Sequence, residues 1–345
     1  MTTRWSERTV LGTGAALLAL MLVVAASSGA YAISGAQLIG VLRDIWQGTE
    51  QPSPEHLVFV NIRLPRLILG LVAGAGLGMA GTLMQGLFRN PLADPGLIGI
   101  SSGAALAAGV TIVLGASFFP HLPRSLGSWT LVATAFGGGF AVTLLIYSLS
   151  QSEGGTRMAL MLLAGIAINA LAGAGLGFLS VMASDEQLRS LQFWLLGSLG
   201  GARWSAVLLV GAVVLVALAA GMTLARPLNA IALGEAQAAM LGVDVERIKR
   251  RAIWVTAFAV GAVTATTGII GFVGLIAPHW VRLIAGPDHR IVLPASALLG
   301  AVLVLAADTV ARTAMAPTEL PLGVLTAAIG VPMFLLMLRR FRGRL

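Results

Sequence analysis

Two arginines stand one turn apart in Arg63-Leu64-Pro65-Arg66, and a third closes the run Asp308-Thr309-Val310-Ala311-Arg312. A guanidinium is planar, permanently charged, and able to hold a carboxylate through two parallel hydrogen bonds. Arg63 and Arg66 therefore suit carboxylates on a docking partner, or equally the phosphates of a lipid interface. Asp308 and Arg312, four residues apart, share one helix face and can pair with each other. Other reactive types are sparse. The 345 residues include no cysteine, so disulfides, thiolate metal sites and thiol nucleophiles are excluded. Lys249 is the only lysine, and no glycine-rich loop precedes it, so the chain lacks a phosphate-binding loop. The four histidines form no His-Glu-x-x-His pair, and no Ser-His spacing supports a hydrolase.

The elements that must hold these groups are apolar. Of the residues 57% are hydrophobic and 10% charged, against about 25% charged in an ordinary soluble chain. Apolar segments recur near 10–30, 64–88, 96–119, 129–149, 159–183, 204–225, 252–275, 291–316 and 322–338, each near the length that crosses a bilayer. A shorter segment, 277–286, lies between Pro278 and Pro287. The loop 226–251 carries Arg226, Arg247, Lys249, Arg250 and Arg251, and the C-terminus carries Arg339, Arg340, Arg342 and Arg344. Both clusters favour the cytoplasm. An even number of crossings must separate them, so the short segment counts as a span. The expectation is an all-α polytopic membrane protein of ten spans, one domain over 1–345, with both termini cytoplasmic. Fifteen of the 22 basic residues then lie inside and seven outside. The net charge of +8 is thus read as topology signalling and not as nucleic-acid binding. The first apolar run, with Ala30-Tyr31-Ala32 behind it, has the features of a cleaved signal or of a retained first helix. Its length favours retention.

Four further patterns bear on function. Gly70, Gly74 and Gly78 recur every fourth residue in the second span, the spacing that lets helix backbones approach closely. Asn90-Pro91-Leu92-Ala93-Asp94-Pro95-Gly96 stops that span, and such non-helical backbone must be covered by protein or line water. The seventh span ends in Gly268–Gly274 and is expected to break at Pro278, so two interrupted segments fall in corresponding positions of two halves. Pro227–Val245 reads as short amphipathic helices too weak to span, needing a protein groove or a membrane surface to cover Ile231, Leu233, Met240 and Leu241. Asn169, amid glycines of the fifth span, is a candidate pore-lining residue because a buried amide in a membrane needs a partner or water.

Arg63-Leu64-Pro65-Arg66, the run Gly81–Gly103, Leu233-Gly234-Glu235 with Leu241-Gly242, Gly271-Phe272-Val273-Gly274-Leu275-Ile276-Ala277-Pro278-His279 and Glu319-Leu320-Pro321-Leu322-Gly323 together resemble the FecCD family of permeases. The matches run in order over nearly the whole chain. Phe88–Gly96 and Leu188–Trp194 most resemble its haem-import branch, with ferric siderophore and cobalamin as alternative cargoes. The resemblance implies a type II ABC importer permease fold, with an inverted repeat of helices 2–5 and 7–10. It implies a homodimer with the pore between copies, two ATPase subunits below, a periplasmic binding protein outside, and membrane lipid around. Transport would proceed by alternating access in the bacterial inner membrane. No cofactor is implied in this subunit, since ATP and Mg would be bound by the partner ATPase. By the same resemblance Arg63, Arg66 and Arg312 are docking residues. Leu233, Gly234, Glu235, Ala238, Leu241 and Gly242 couple to the ATPase. Asn90, Leu92 and Ser152, the last in the loop Ser150–Gly154, form a cytoplasmic gate. His279 is read as structural, since similar cobalamin permeases also carry Pro-His there. His289 is expected in a loop, and His56 and His121 exposed.

Two other functional classes fit the residues less well. An ion-coupled transporter usually needs carboxylates near the membrane midplane, and only Asp308 enters a span. An intramembrane enzyme lacks every nucleophile and metal pattern considered above.

Overall fold

The computed structural model describes residues 5–29, 34–47, 53–118, 127–316 and 318–341. Arg4, Ala30-Tyr31-Ala32, His121, Arg124, Arg342 and Arg344 lie outside the described residues. The helices in order are α1 (Glu7–Ser27), α2 (Gly35–Gln47), α3 (Pro54–Val58), α4 (Leu64–Leu87), α5 (Ile100–Phe118), α6 (Gly127–Leu149), α7 (Met158–Met182), α8 (Asp185–Leu196), α9 (Trp204–Met222), α10 (Ala225–Ala232), α11 (Glu235–Met240), α12 (Val245–Thr267), α13 (Val273–Ala285), α14 (His289–Thr313) and α15 (Leu322–Phe341). A two-residue ladder, β1 (Gln151–Ser152) against β2 (Gly155–Thr156), follows α6. Among the described residues six helices are long and apolar enough to cross a membrane, and three shorter apolar ones join them.

The bundle is built around α4. From Pro65 onward nearly all of its residues are buried, as expected of a helix that is apolar on every side. Gly74 and Gly78 make its closest approach possible. A Cβ on Gly74 would lie 2.3 Å from the Gly300 carbonyl oxygen, and one on Gly78 would lie 2.1 Å from that of Ser296. These glycines therefore serve packing of α4 on α14 within one subunit. Ahead of α4 the chain widens into a π-helical turn, Phe59–Arg63. Pro65 supplies the cause, because its missing N–H and its ring disturb the turn before it.

Four expectations need correction. The break after α12 falls at Gly268–Phe272, and Pro278 lies inside α13. A proline is tolerated there because the carbonyl it cannot serve, that of Gly274, lies 3.4 Å from the donating Nε2 of Gln85. His289 is not in a loop. It opens α14, is buried, and sets its Nδ1 2.8 Å from Asn229 Oδ1. His56 is half-buried rather than exposed. Ile231 needs no outside cover, since it packs in the core with Leu228 and Ala238.

Each long break contains a strained residue. Arg89 (φ 51°) follows α4 and Phe272 (φ 64°) follows α12, and among the described residues these are the only non-glycine residues with positive φ. Asn90, exposed, accepts the Leu92 N–H on Oδ1 at 2.9 Å, and Asp94 caps a 3₁₀ turn, Pro95–Ile98.

Candidate functional site

The two ends of the bundle each hold a polar cluster. At one end Arg63, Arg66, Asp308, Arg312 and Glu319 converge from four elements. Arg66 grips Asp308 bidentately, with Nε at 3.0 Å from Oδ1 and 3.1 Å from Oδ2, and reaches Glu319 through Nη1 and Nη2 at 2.8 and 2.9 Å. Arg312 adds Nε at 3.3 Å from Asp308 Oδ2, the i,i+4 pair foreseen from spacing. Its Nη1 and Nη2 donate to the carbonyls of Ser28 and Ala25, while Arg63 Nη1 donates to that of Ala26 at 2.7 Å. Two guanidinium groups thus cap the last turn of α1, where unpaired carbonyls concentrate negative charge.

These arginines are turned inward. Arg63 and Arg312 are 5% and 8% exposed and the Arg66 side chain 11%, whereas Glu319 is 43% exposed. Of these side chains the Glu319 carboxylate is the most exposed. Hydrogen bonds from Arg66 hold that carboxyl below the usual glutamate range, against the opposing effect of partial burial.

At the opposite end α10 and α11 form a tip. Leu233, Met240 and Leu241 are 68%, 87% and 67% exposed, while Leu228, Ile231 and Ala238 are fully buried beneath them. Gly234 (φ 129°) and Gly242 (φ 81°) supply the turns on either side of α11. Asn229 of α10 donates to Asp288 Oδ1 at 2.7 Å and accepts the His289 N–H at 2.9 Å. The Asp288 carboxyl is held well below its ordinary range, chiefly by the Arg290 side chain. Lys249 of α12 is buried and bridges Glu235 of α11 to the Thr156 carbonyl of β2. Ser152 is half-buried in the hairpin, and among the described residues no hydrogen bond joins it to Asn90 or Leu92.

Asn169 is half-buried on α7. Its Oδ1 accepts the Ser102 hydroxyl at 2.5 Å and its Nδ2 reaches the Gly96 carbonyl at 3.4 Å. It therefore ties α7 to the turn before α5, beside an exposed face that includes Leu163, Ile166, Leu171 and Phe178. Among the described residues no cluster of His, Cys, Asp or Glu could hold a metal ion.

Sequence reasoning passed over Glu319 as the Arg66 partner, the Asn229–Asp288–His289 link and the role of Lys249. A signal for α8 did exist. Ser184 and Gln187 form a reciprocal capping box before an amphipathic stretch.

Comparison with known proteins gives a consistent picture. The model of the FecCD transport family matches residues 17–340. The chain is 44% identical to the hemin transport system permease protein HmuU of Yersinia pestis, covering 99% of this chain and 98% of that one. It is 42% identical to the cobalamin import system permease protein BtuC of Halobacterium salinarum, covering 84% and 75%. Among solved structures, a chain of a metal-chelate type ABC transporter in an inward-facing conformation superposes with a TM-score of 0.83 at 30% identity, covering 96% and 99%.

Proposed function

The chain belongs to the FecCD transport family of ABC-importer permeases, and from that premise we propose that it carries haem from the periplasm to the cytoplasm by alternating access. ATP hydrolysis belongs to a separate ATPase in this family, and this subunit is a non-catalytic conduit. The observation that carries haem as cargo is the full-length identity with the hemin permease, which extends over a larger share of both chains than the match to the cobalamin permease. The exposed face of α7 agrees with it. Met158–Met182 has no charged residue, and an apolar wall suits a flat macrocycle that must not bind tightly. Ferric siderophore and cobalamin are the alternative cargoes.

In this reading α1, α4, α5, α6, α7, α9, α12, α13, α14 and α15 are the ten spans, inserted with both termini cytoplasmic. The distribution of basic residues supports that orientation. Helices α4–α7 and α12–α15 are the two arms of an inverted repeat. The strained residues Arg89 and Phe272, one after the first helix of each arm, support the correspondence. Two copies meet along α7, with Asn169 at the pore wall bracing the turn at Gly96. Asn90, Leu92 and Ser152 gate the cytoplasmic side. The residues Leu233, Gly234, Glu235, Ala238, Leu241 and Gly242 seat α10 and α11 in the ATPase. Arg63, Arg66 and Arg312 receive carboxylates of the binding protein after exchanging their internal partners.

The deciding experiment reconstitutes the permease with its ATPase in liposomes and adds binding protein loaded with haem, ferric siderophore or cobalamin. Haem-loaded protein should stimulate ATP hydrolysis most and deliver its cargo to the lumen. Stimulation by another cargo alone would replace haem with it.

A further inference from the structure

Lys249 of α12 joins three pieces of the chain: its own helix, α11 and the hairpin β1–β2. It is the only lysine and is 2% exposed. Its Nζ donates to Glu235 Oε2 at 2.8 Å, to Glu246 Oε1 at 2.9 Å and to the Thr156 carbonyl at 2.8 Å. An ammonium has three donors, so all are spent. The second oxygen of Glu246 accepts the Thr156 N–H at 2.8 Å, so both backbone groups of Thr156 are held by residues on the first two turns of α12. Gly155 (φ 102°) presses against the same carboxylate, and a Cβ there would lie 2.6 Å from Glu246 Cδ. The hairpin is thereby fixed to α12, and α11 is fixed to both through Glu235. A guanidinium would not serve as well, because its donors lie in one plane whereas these three acceptors sit on two different helices, α11 and α12, and on the strand β2.

We propose that Lys249 is a positioning residue that carries displacement of α11 to the hairpin Gln151–Thr156, so that Ser152 moves when the ATPase moves α11. The inference rests on the reading that α11 seats in the ATPase and that the hairpin belongs to the gate. It adds the physical link between them. Glu235 and Glu246 are each nearly half exposed, whereas Lys249 is not. The carboxylates can therefore shift at the surface while the ammonium stays as the shared pivot.

The absence of cysteine makes the test clean. A single Glu153→Cys substitution on the exposed hairpin tip carries a spin label, and the distance between the labels of two copies is read with and without ATP in the reconstituted complex. In the otherwise native complex the distance should change with ATP. With Lys249→Met added, the ATPase should still co-purify and hydrolyse ATP, the label distance should stop responding, and transport should fall about tenfold, within the usual range of coupling between sites. Lys249→Arg keeps a cation in the same buried place but cannot meet all three acceptors with its planar donors, and should blunt the label response and transport in the same direction. It also decides the matter should Lys249→Met fail to fold. An ATP-dependent distance change and near-native transport in Lys249→Met, or in Lys249→Arg should Lys249→Met fail to fold, would overturn the role of Lys249 alone. An unresponsive label in the native complex would overturn it together with the gate reading, and an ATPase that never co-purifies would overturn the seating of α11.

Discussion

At the residue scale, Glu319 decides what Arg66 can offer. Its carboxylate occupies two donors of Arg66 from the solvent side, in the position an incoming acidic side chain would take. An ion pair exposed on one side contributes up to about 1 kcal/mol. Glu319→Gln should therefore tighten docking of an acidic binding protein by up to about fivefold, read as the dissociation constant from the reconstituted permease. Unaltered or weaker docking would mean that Arg66 is not the receiving group. The pH dependence has a defined sign. The Glu319 carboxyl is depressed by its Arg66 hydrogen bonds, so its contribution is complete above the usual glutamate pKa and is lost only as pH falls through the depressed value. Mild acidification to the ordinary glutamate range should leave docking unchanged in the native protein. Spacing made the Asp308–Arg312 pair legible, because i,i+4 geometry is local. It could not reveal that Arg312 and Arg63 also cap α1, because the acceptors are backbone carbonyls and carry no sequence signature.

At the element scale, glycine does two opposite jobs that the sequence writes identically. Gly78 meets the Ser296 carbonyl so closely that any Cβ must push α4 off α14, whereas Gly173 and Gly177 of α7 have nothing within 4 Å. Gly78→Ala should cost about 2 kcal/mol or more, seen as a lower melting temperature in detergent, because backbone cannot yield as a side-chain tip can. Gly177→Ala should leave the melting temperature unchanged and act, if at all, on transport through the face of α7. Equal destabilisation by both would mean that the approach of α4 to the Ser296 carbonyl does not set the cost at Gly78. The long apolar helices are legible because a bilayer demands long apolar runs, and the break after α4 is legible from its two prolines. Proline is the stronger signal in a sequence, so the sequence points to Pro278 for the break after α12. The actual stop uses Gly268 (φ 72°), and only the Gln85 side chain, nearly 200 residues away, lets Pro278 remain helical.

At the scale of the whole molecule, the tip formed by α10 and α11 presents exposed apolar side chains on a polar scaffold at one end of the bundle. Leu233, Met240 and Leu241 face outward, and the inner face of the same two helices is locked by Leu228, Ile231 and Ala238 in the main core and by Asn229 and Lys249 in hydrogen bonds. Under the proposed seating in the ATPase, such a tip would transmit force well, being apolar where it would be gripped and held by core packing and hydrogen bonds where it is attached. Burying a leucine or methionine in a partner groove is worth about 1.5–3 kcal/mol each. Replacing Met240 and Leu241 together by Asp removes that gain and adds two charges to be desolvated. The ATPase should then no longer co-purify, while the permease keeps its helical content and its melting temperature, since neither side chain supports the bundle. The assignment fails if the doubly substituted permease still assembles with its ATPase and transports at the native rate, for then the motor must grip a different surface. A permease that loses its own fold in this variant would show instead that the tip is packed from within, contrary to its exposure.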